Sequence, residues 1–166
     1  MSRLRPLAAL ALGLAALALS ACGFRPLYAE PGVTPGLSAI DVTAPGGRVG
    51  YLVGEALTDG LGRGTAPAAW RLDLDLAEQR FPRGLRVDNV ATRYEYVLTA
   101  AYTLRATATG APAKTGRVRV ELTYDSADQP YASVAAQQDA QERAAAEAAR
   151  RIQLDLAAWF ADQARP

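Results

Sequence analysis

Two aspartates set two residues apart, Asp73 and Asp75 in "WRLDLDLAEQRF", have the spacing in this 166-residue chain that best suits an acid–base pair. On one strand, residues i and i+2 share a face, so the two carboxylates could serve as general acid and general base. The rest of the composition argues against such chemistry. The chain has no histidine and one cysteine, Cys22, which removes Ser-His-Asp and Cys-His nucleophile arrangements and metal sites built from His and Cys. The aspartates also alternate with Leu72, Leu74 and Leu76, as on any half-solvated strand, and no nucleophile or cleft motif accompanies them. No catalytic residue, metal or cofactor is expected.

The arginines suggest binding instead. Net charge is only +1, but the stretch from Arg71 to Arg119 holds nine basic and five acidic residues, whereas Val120 to Pro166 holds four and eight. The positive half contains the loop-like "QRFPRGLRVDNVATR", with Arg80, Arg83, Arg86 and Arg93, and a distal hairpin with Lys114, Arg117 and Arg119. Guanidinium forks suit phosphate and carboxylate, so these side chains are candidates to hold an anionic headgroup. The alternative is a solvated charged surface.

Cys22 is the third candidate. It follows Arg3 and Arg5, an apolar run from Leu7 to Leu19 and the small pair Ser20 and Ala21. That is the layout of a secretory signal: a positive start, an apolar stretch and a small-residue cleavage site. The run is shorter than the ~20 residues of a spanning helix. Leu19-Ser20-Ala21-Cys22 resembles the bacterial lipobox, in which the cysteine is acylated and becomes the mature N-terminus. Multiple acyl chains would hold such a chain firmly at a membrane, each buried methylene contributing about 0.8 kcal/mol. An exported, lipid-bound chain is a poor partner for nucleic acid. Gly23, where an aspartate would favour inner-membrane retention, points to the outer membrane.

The elements that would position these residues follow from hydrophobic periodicity. Residues 1–21 read as the signal and 22–36, rich in Pro and Gly, as a lipidated flexible tether; residues 37–166 read as one domain. A short strand is expected from Leu37 to Val42 and a helix from Arg48 to Arg63, with Val49, Leu52, Val53, Ala56, Leu57 and Leu61 on one stripe. Gly50, Gly54 and Gly60 weaken that helix and could let another surface come close. Strands are expected at 70–81, 93–107 and 116–124, and a long amphipathic helix at 136–164. The order β-α-β-β-β-α predicts an α+β two-layer sandwich: two helices on one face of a four-stranded, mostly antiparallel sheet, whose other face is left to water or a hydrated partner.

Four stretches together resemble the LptE family of lipopolysaccharide-assembly lipoproteins: "CGFRPLY", "ATRYEYVLTAAYTL", "VRVELTYDSADQPYASVAAQQDAQE" and the closing helix. The resemblance implies a non-enzymatic outer-membrane lipoprotein, anchored on the periplasmic side. It also implies a one-to-one complex with the LptD β-barrel, which such a protein plugs and helps to assemble, and a part in placing lipopolysaccharide on the cell surface. On that basis Tyr96, Thr99, Tyr102, Thr103, Arg119 and Thr123 are candidates for the barrel wall. Arg80, Arg83, Arg86, Arg93, Lys114 and Arg117 are candidates for lipopolysaccharide phosphates. The chain departs from relatives in one respect: no Lys or Arg lies between Ser126 and Glu142. A lipoprotein that binds a soluble periplasmic ligand or scaffolds another envelope machine is the alternative.

Overall fold

The computed structural model describes residues 32–62, 64, 66–85, 91–126 and 129–164. Its elements run α1 (Val33–Ser38), β1 (Ile40–Thr43), α2 (Arg48–Leu61), β2 (Trp70–Leu85), β3 (Ala91–Ala106), β4 (Pro112–Asp125) and α3 (Pro130–Gln163). The four strands form one sheet in the order β1-β2-β3-β4. β1 lies parallel to β2, with Ile40 opposite Trp70, and the remaining pairs are antiparallel. This is the expected α+β architecture, with a third, short helix added.

That helix corrects the reading of residues 22–36 as tether up to Leu37, and of Leu37–Val42 as strand. Val33 and Leu37, one turn apart, are both buried. The proline and glycine content that suggested a tether has a structural reason. Pro35 stands in the first helical turn, where a missing N–H costs nothing. At Gly36 the absent side chain lets the Phe160 ring approach, since a Cβ there would lie 2.6 Å from a ring carbon. The folded unit therefore includes residues from Val33 onward.

In α2 the three glycines serve close packing. A Cβ on Gly50 would overlap the Pro45 carbonyl, on Gly54 it would lie 3.1 Å from the Ala44 Cβ, and on Gly60 it would meet the Gln153 side chain of α3. The first two seat the β1–α2 loop on the helix, and the third brings α2 against α3.

Strand β2 is longer than the expected 70–81 and takes in Pro82 and Gly84, both assigned to a loop above. The backbone explains the proline. The Trp70 N–H donates to Ala39 O (3.1 Å), so the even residues of β2 direct their backbone groups away from β3. Pro82, which has no N–H, thus loses no bond of the β2–β3 ladder. Gly84 has φ 60°, and its carbonyl accepts from Thr92 Oγ1 at 2.6 Å. Helix α3 likewise begins six residues before the expected 136, with Pro130 in its first turn.

The core lies between the helices and the even-numbered face of β2, β3 and β4. Leu72, Leu98, Ala100, Leu104 and Val120 of the sheet meet Val53, Leu57, Ile152 and Leu156 of the helices. Ala140, Ala144, Ala145, Ala148 and Ala149 line the buried stripe of α3; their small size lets this helix lie close to both layers. Trp70 packs edge-on against Trp159 (5.5 Å between ring centroids) and Phe160 (6.1 Å), closing the core at the α1 end.

Candidate docking face and basic tip

An antiparallel meander sends successive hairpins to opposite ends of the sheet. Leu85 and Ala91, where β2 ends and β3 begins, therefore lie at one end, and the β3–β4 connection, residues 107–111, at the other. Sixteen residues of β3 at about 3.3 Å each separate them by roughly 50 Å. The basic residues that the sequence grouped together are split accordingly. Arg80, Arg83 and Arg93 stand near the first end and Lys114 near the second, with Arg117 between; Arg86 and Cys22 fall outside the described residues. No single headgroup can span both ends.

At the first end, Arg83 and Arg93 face each other across β2 and β3. Like charges so placed repel, and each is drawn to an acid: Arg83 Nε and Nη2 donate to Glu95 Oε2 (2.8 and 2.6 Å), and Arg93 Nε to Asp125 Oδ1 (2.8 Å). A shallow hollow lined by Arg83, Gly84, Thr92, Arg93 and Asp125 lies between them. Arg80 belongs to the helix-covered face, with its guanidinium 5.0 Å from the Tyr94 ring centroid and a bond to Gln137 Oε1 (2.6 Å). This arrangement can present guanidinium edges to an anion without a large net charge.

The open face carries the odd-numbered residues of the four strands. Thr99, Thr103, Arg119 and Thr123, expected at a partner surface, are all on it. Tyr96 and Tyr102 are not, and this corrects their place among the interface candidates. Both are buried under the helices, at 2% and 3% exposure, because their even numbering puts them with Leu98 and Leu104. The Tyr96 hydroxyl donates to Glu78 Oε2 (2.7 Å), which also accepts from Gln141 Nε2 (3.0 Å). The Tyr102 hydroxyl donates to Asp155 Oδ2, and Lys114 Nζ donates to Asp155 Oδ1 (3.1 Å). Burial, reinforced by each carboxylate partner, pushes both tyrosine pKa values up. At Asp155 burial pulls upward, but the Tyr102 and Lys114 bonds outweigh it and hold the carboxyl below its usual range. Lys114 is thereby tied into a strand-to-helix clamp that alternation alone did not reveal.

Of the two carboxylates, one is engaged by its neighbours. Asp73 is held by Arg71 (3.2 Å) and Arg105 (3.1 Å), so it acts as a cross-strand charge partner. Asp75 faces Arg117 across Ala101, the three forming one row of the sheet. With Arg119 paired to Glu121 (2.6 Å), the open face mixes charges and threonines, with Ala77, Ala101 and the buried Val97 along its middle. Among the described residues, no cluster of acidic or sulfur groups could hold a metal, and no helix is long and apolar enough to cross a membrane.

Comparison with known proteins is specific. Residues 37–156 match the family model described as "LptE: Lipopolysaccharide-assembly". A candidate lipoprotein of Caulobacter crescentus CB15 is similar in structure, with 55% identity, a TM-score of 0.69, and coverage of 81% of this chain and 98% of its own. The rare lipoprotein B of Shewanella oneidensis shares the fold at 15% identity and TM-score 0.59, covering 76% of this chain and 97% of its own. A lipoprotein B of Nitrosomonas europaea does so at 16% identity and TM-score 0.53, covering 72% and 82%. A search of curated proteins found no match.

Proposed function

From the premise that this chain belongs to the LptE lipopolysaccharide-assembly family, we propose that it acts without chemistry of its own, as the plug and assembly partner of an LptD-type outer-membrane β-barrel. Acylated Cys22 anchors it to the periplasmic leaflet, after removal of residues 1–21. The observation that carries this reading is the open sheet face. It is broad and mostly polar, and much of its charge is paired within the chain: Asp73 with Arg71 and Arg105, Arg83 with Glu95, Arg93 with Asp125 and Arg119 with Glu121. A barrel lumen is lined by polar side chains, and a surface most of whose charges are already paired can enter such a lumen with few of them left uncompensated, Asp75 and Arg117 being the ones available to the wall.

Thr99, Thr103, Arg119 and Thr123 are the wall-facing candidates that support this docking. Arg83 and Arg93, with Arg86 following in the chain, remain the candidates for lipopolysaccharide phosphates at the β2–β3 tip. Lys114, engaged with Asp155 at the far end, is a weaker one.

Extraction in mild detergent, pull-down and mass spectrometry test the partnership. A barrel protein recovered one-to-one with this chain is the expected result, and its absence would favour a scaffold of another envelope machine. Labelling with a radioactive fatty acid checks the anchor: the label should appear in this chain and vanish in Cys22→Ser.

A further inference from the structure

Strand β1 covers only the first four residues of β2, where Thr43 pairs with Asp73. Beyond that point β2 runs on for twelve residues, to Leu85, with nothing among the described residues alongside it. Its even-numbered backbone groups, those of Leu74, Leu76, Glu78 and Arg80, point into this free edge. Such an edge is a template for another strand. The opposite edge is more guarded: on β4, the Arg119 carbonyl is taken by Arg151 Nη1 of α3 at 3.0 Å.

We propose that the free edge of β2 is self-complementary, and that two copies of this chain join along it, antiparallel, into one continuous sheet. Only even-summed registers set outward-pointing groups opposite each other, and charge selects among those. A register centred on Glu78 would set that carboxylate against its own copy, and one centred on Arg80 would do the same with the guanidinium. Centred on Gln79, the register pairs Glu78 with Arg80 of the second copy, twice, and Asp75 with Arg83. The same register sets the exposed Phe81, 39% accessible, over Ala77 of the other copy. It also places the symmetry axis within half a residue of the midpoint of the free stretch. Pro82, with no N–H to donate, closes the ladder at each end. The axis stands perpendicular to the sheet, which keeps both helical layers on one side and makes the contact isologous. This proposal rests on the edge alone and is independent of the barrel reading.

Cross-linking of the full chain carrying Cys22→Ser tests the register. With Gln79→Cys, the two thiols meet across the axis at about 4.5 Å between Cα atoms, inside the range a disulfide accepts. With Ala77→Cys, they stand four residues out of step, roughly 13 Å apart. Mild oxidation should therefore give a covalent dimer at position 79 and little at 77; equal yields, or none at 79, would overturn the proposal. Charge exchange gives a second readout by sedimentation. Arg80→Glu alone should weaken self-association about tenfold or more through two like-charge contacts, and Glu78→Arg with Arg80→Glu should restore it. A folded double variant that stays as weak as the single one would refute the pairing.

Discussion

The three glycines of α2 allow one helix to report on three different neighbours. Replacing any of them by alanine gains about 1 kcal/mol of helix propensity, so the differences come from what the new methyl group meets. At Gly50 it would lie 2.9 Å from the Pro45 carbonyl carbon and closer still to the oxygen. Both atoms are backbone, so the β1–α2 loop must retreat. Overpacking of this kind costs about 1–3 kcal/mol, and retreat also uncovers the Gly54 contact, which puts Gly50→Ala at about 1–2 kcal/mol destabilising. At Gly54 the neighbour is a single Cβ at 3.1 Å, and a shift of a few tenths of an ångström relieves it; the two effects should nearly cancel. At Gly60 the obstacle is the end of the Gln153 side chain, which can swing away, so Gly60→Ala should stabilise by about 0.5–1 kcal/mol. Urea denaturation of the full chain and the three variants, with unchanged m-values, gives the order directly. If Gly50→Ala proved as stable as Gly60→Ala, the packing account of this helix would be wrong.

Four further outcomes are expected. Asp155 titrates below its ordinary value of 3.8 when folded; the unfolded chain therefore takes up its proton first as pH falls, and this group's stabilisation, complete above that value, is lost as pH drops through it toward the folded pKa. Acid-unfolding curves should show that loss, smaller in Tyr102→Phe. At the alkaline end the signs reverse: Tyr96 and Tyr102 have raised pKa values, so their contribution holds below about pH 10 and declines above it, and absorbance at the tyrosinate band should report two groups ionising late. Asp73→Asn and Asp75→Asn together should leave envelope integrity unchanged, because Asp73 is a partner of Arg71 and Arg105 and the proposed role as a barrel plug asks no reaction of either carboxylate. Ile152→Ala, fully buried in α3, should by contrast cost about 2–5 kcal/mol in a melting experiment.

Much of the framework is legible in the amino-acid order because it depends on local periodicity. Leu72, Leu74 and Leu76 alternate with charges, Val49, Val53 and Leu57 recur at helical spacing, and the resulting β-α-β-β-β-α order limits the architecture to a two-layer sandwich. The basic residues, the lone cysteine and the family resemblance are likewise properties of the string. What the string does not contain is the environment of each backbone group. Pro82 reads as a loop until the sheet shows that its nitrogen faces the free edge, and Pro35 reads as tether until Phe160 is seen packed on the glycine beside it. Tyr96 and Tyr102 show polar tips to a reader of the sequence, yet strand parity buries them, and acids 18 and 53 residues distant satisfy their hydroxyls. The arginines that form one cluster in sequence end roughly 25–35 Å from the distal lysine because hairpins alternate ends along a meander. Periodicity is a nearest-neighbour property, fixed by the geometry of the chain; pairing of charges, covering of edges and separation of tips depend on which distant segments share space, and that is decided only when the layers close on each other.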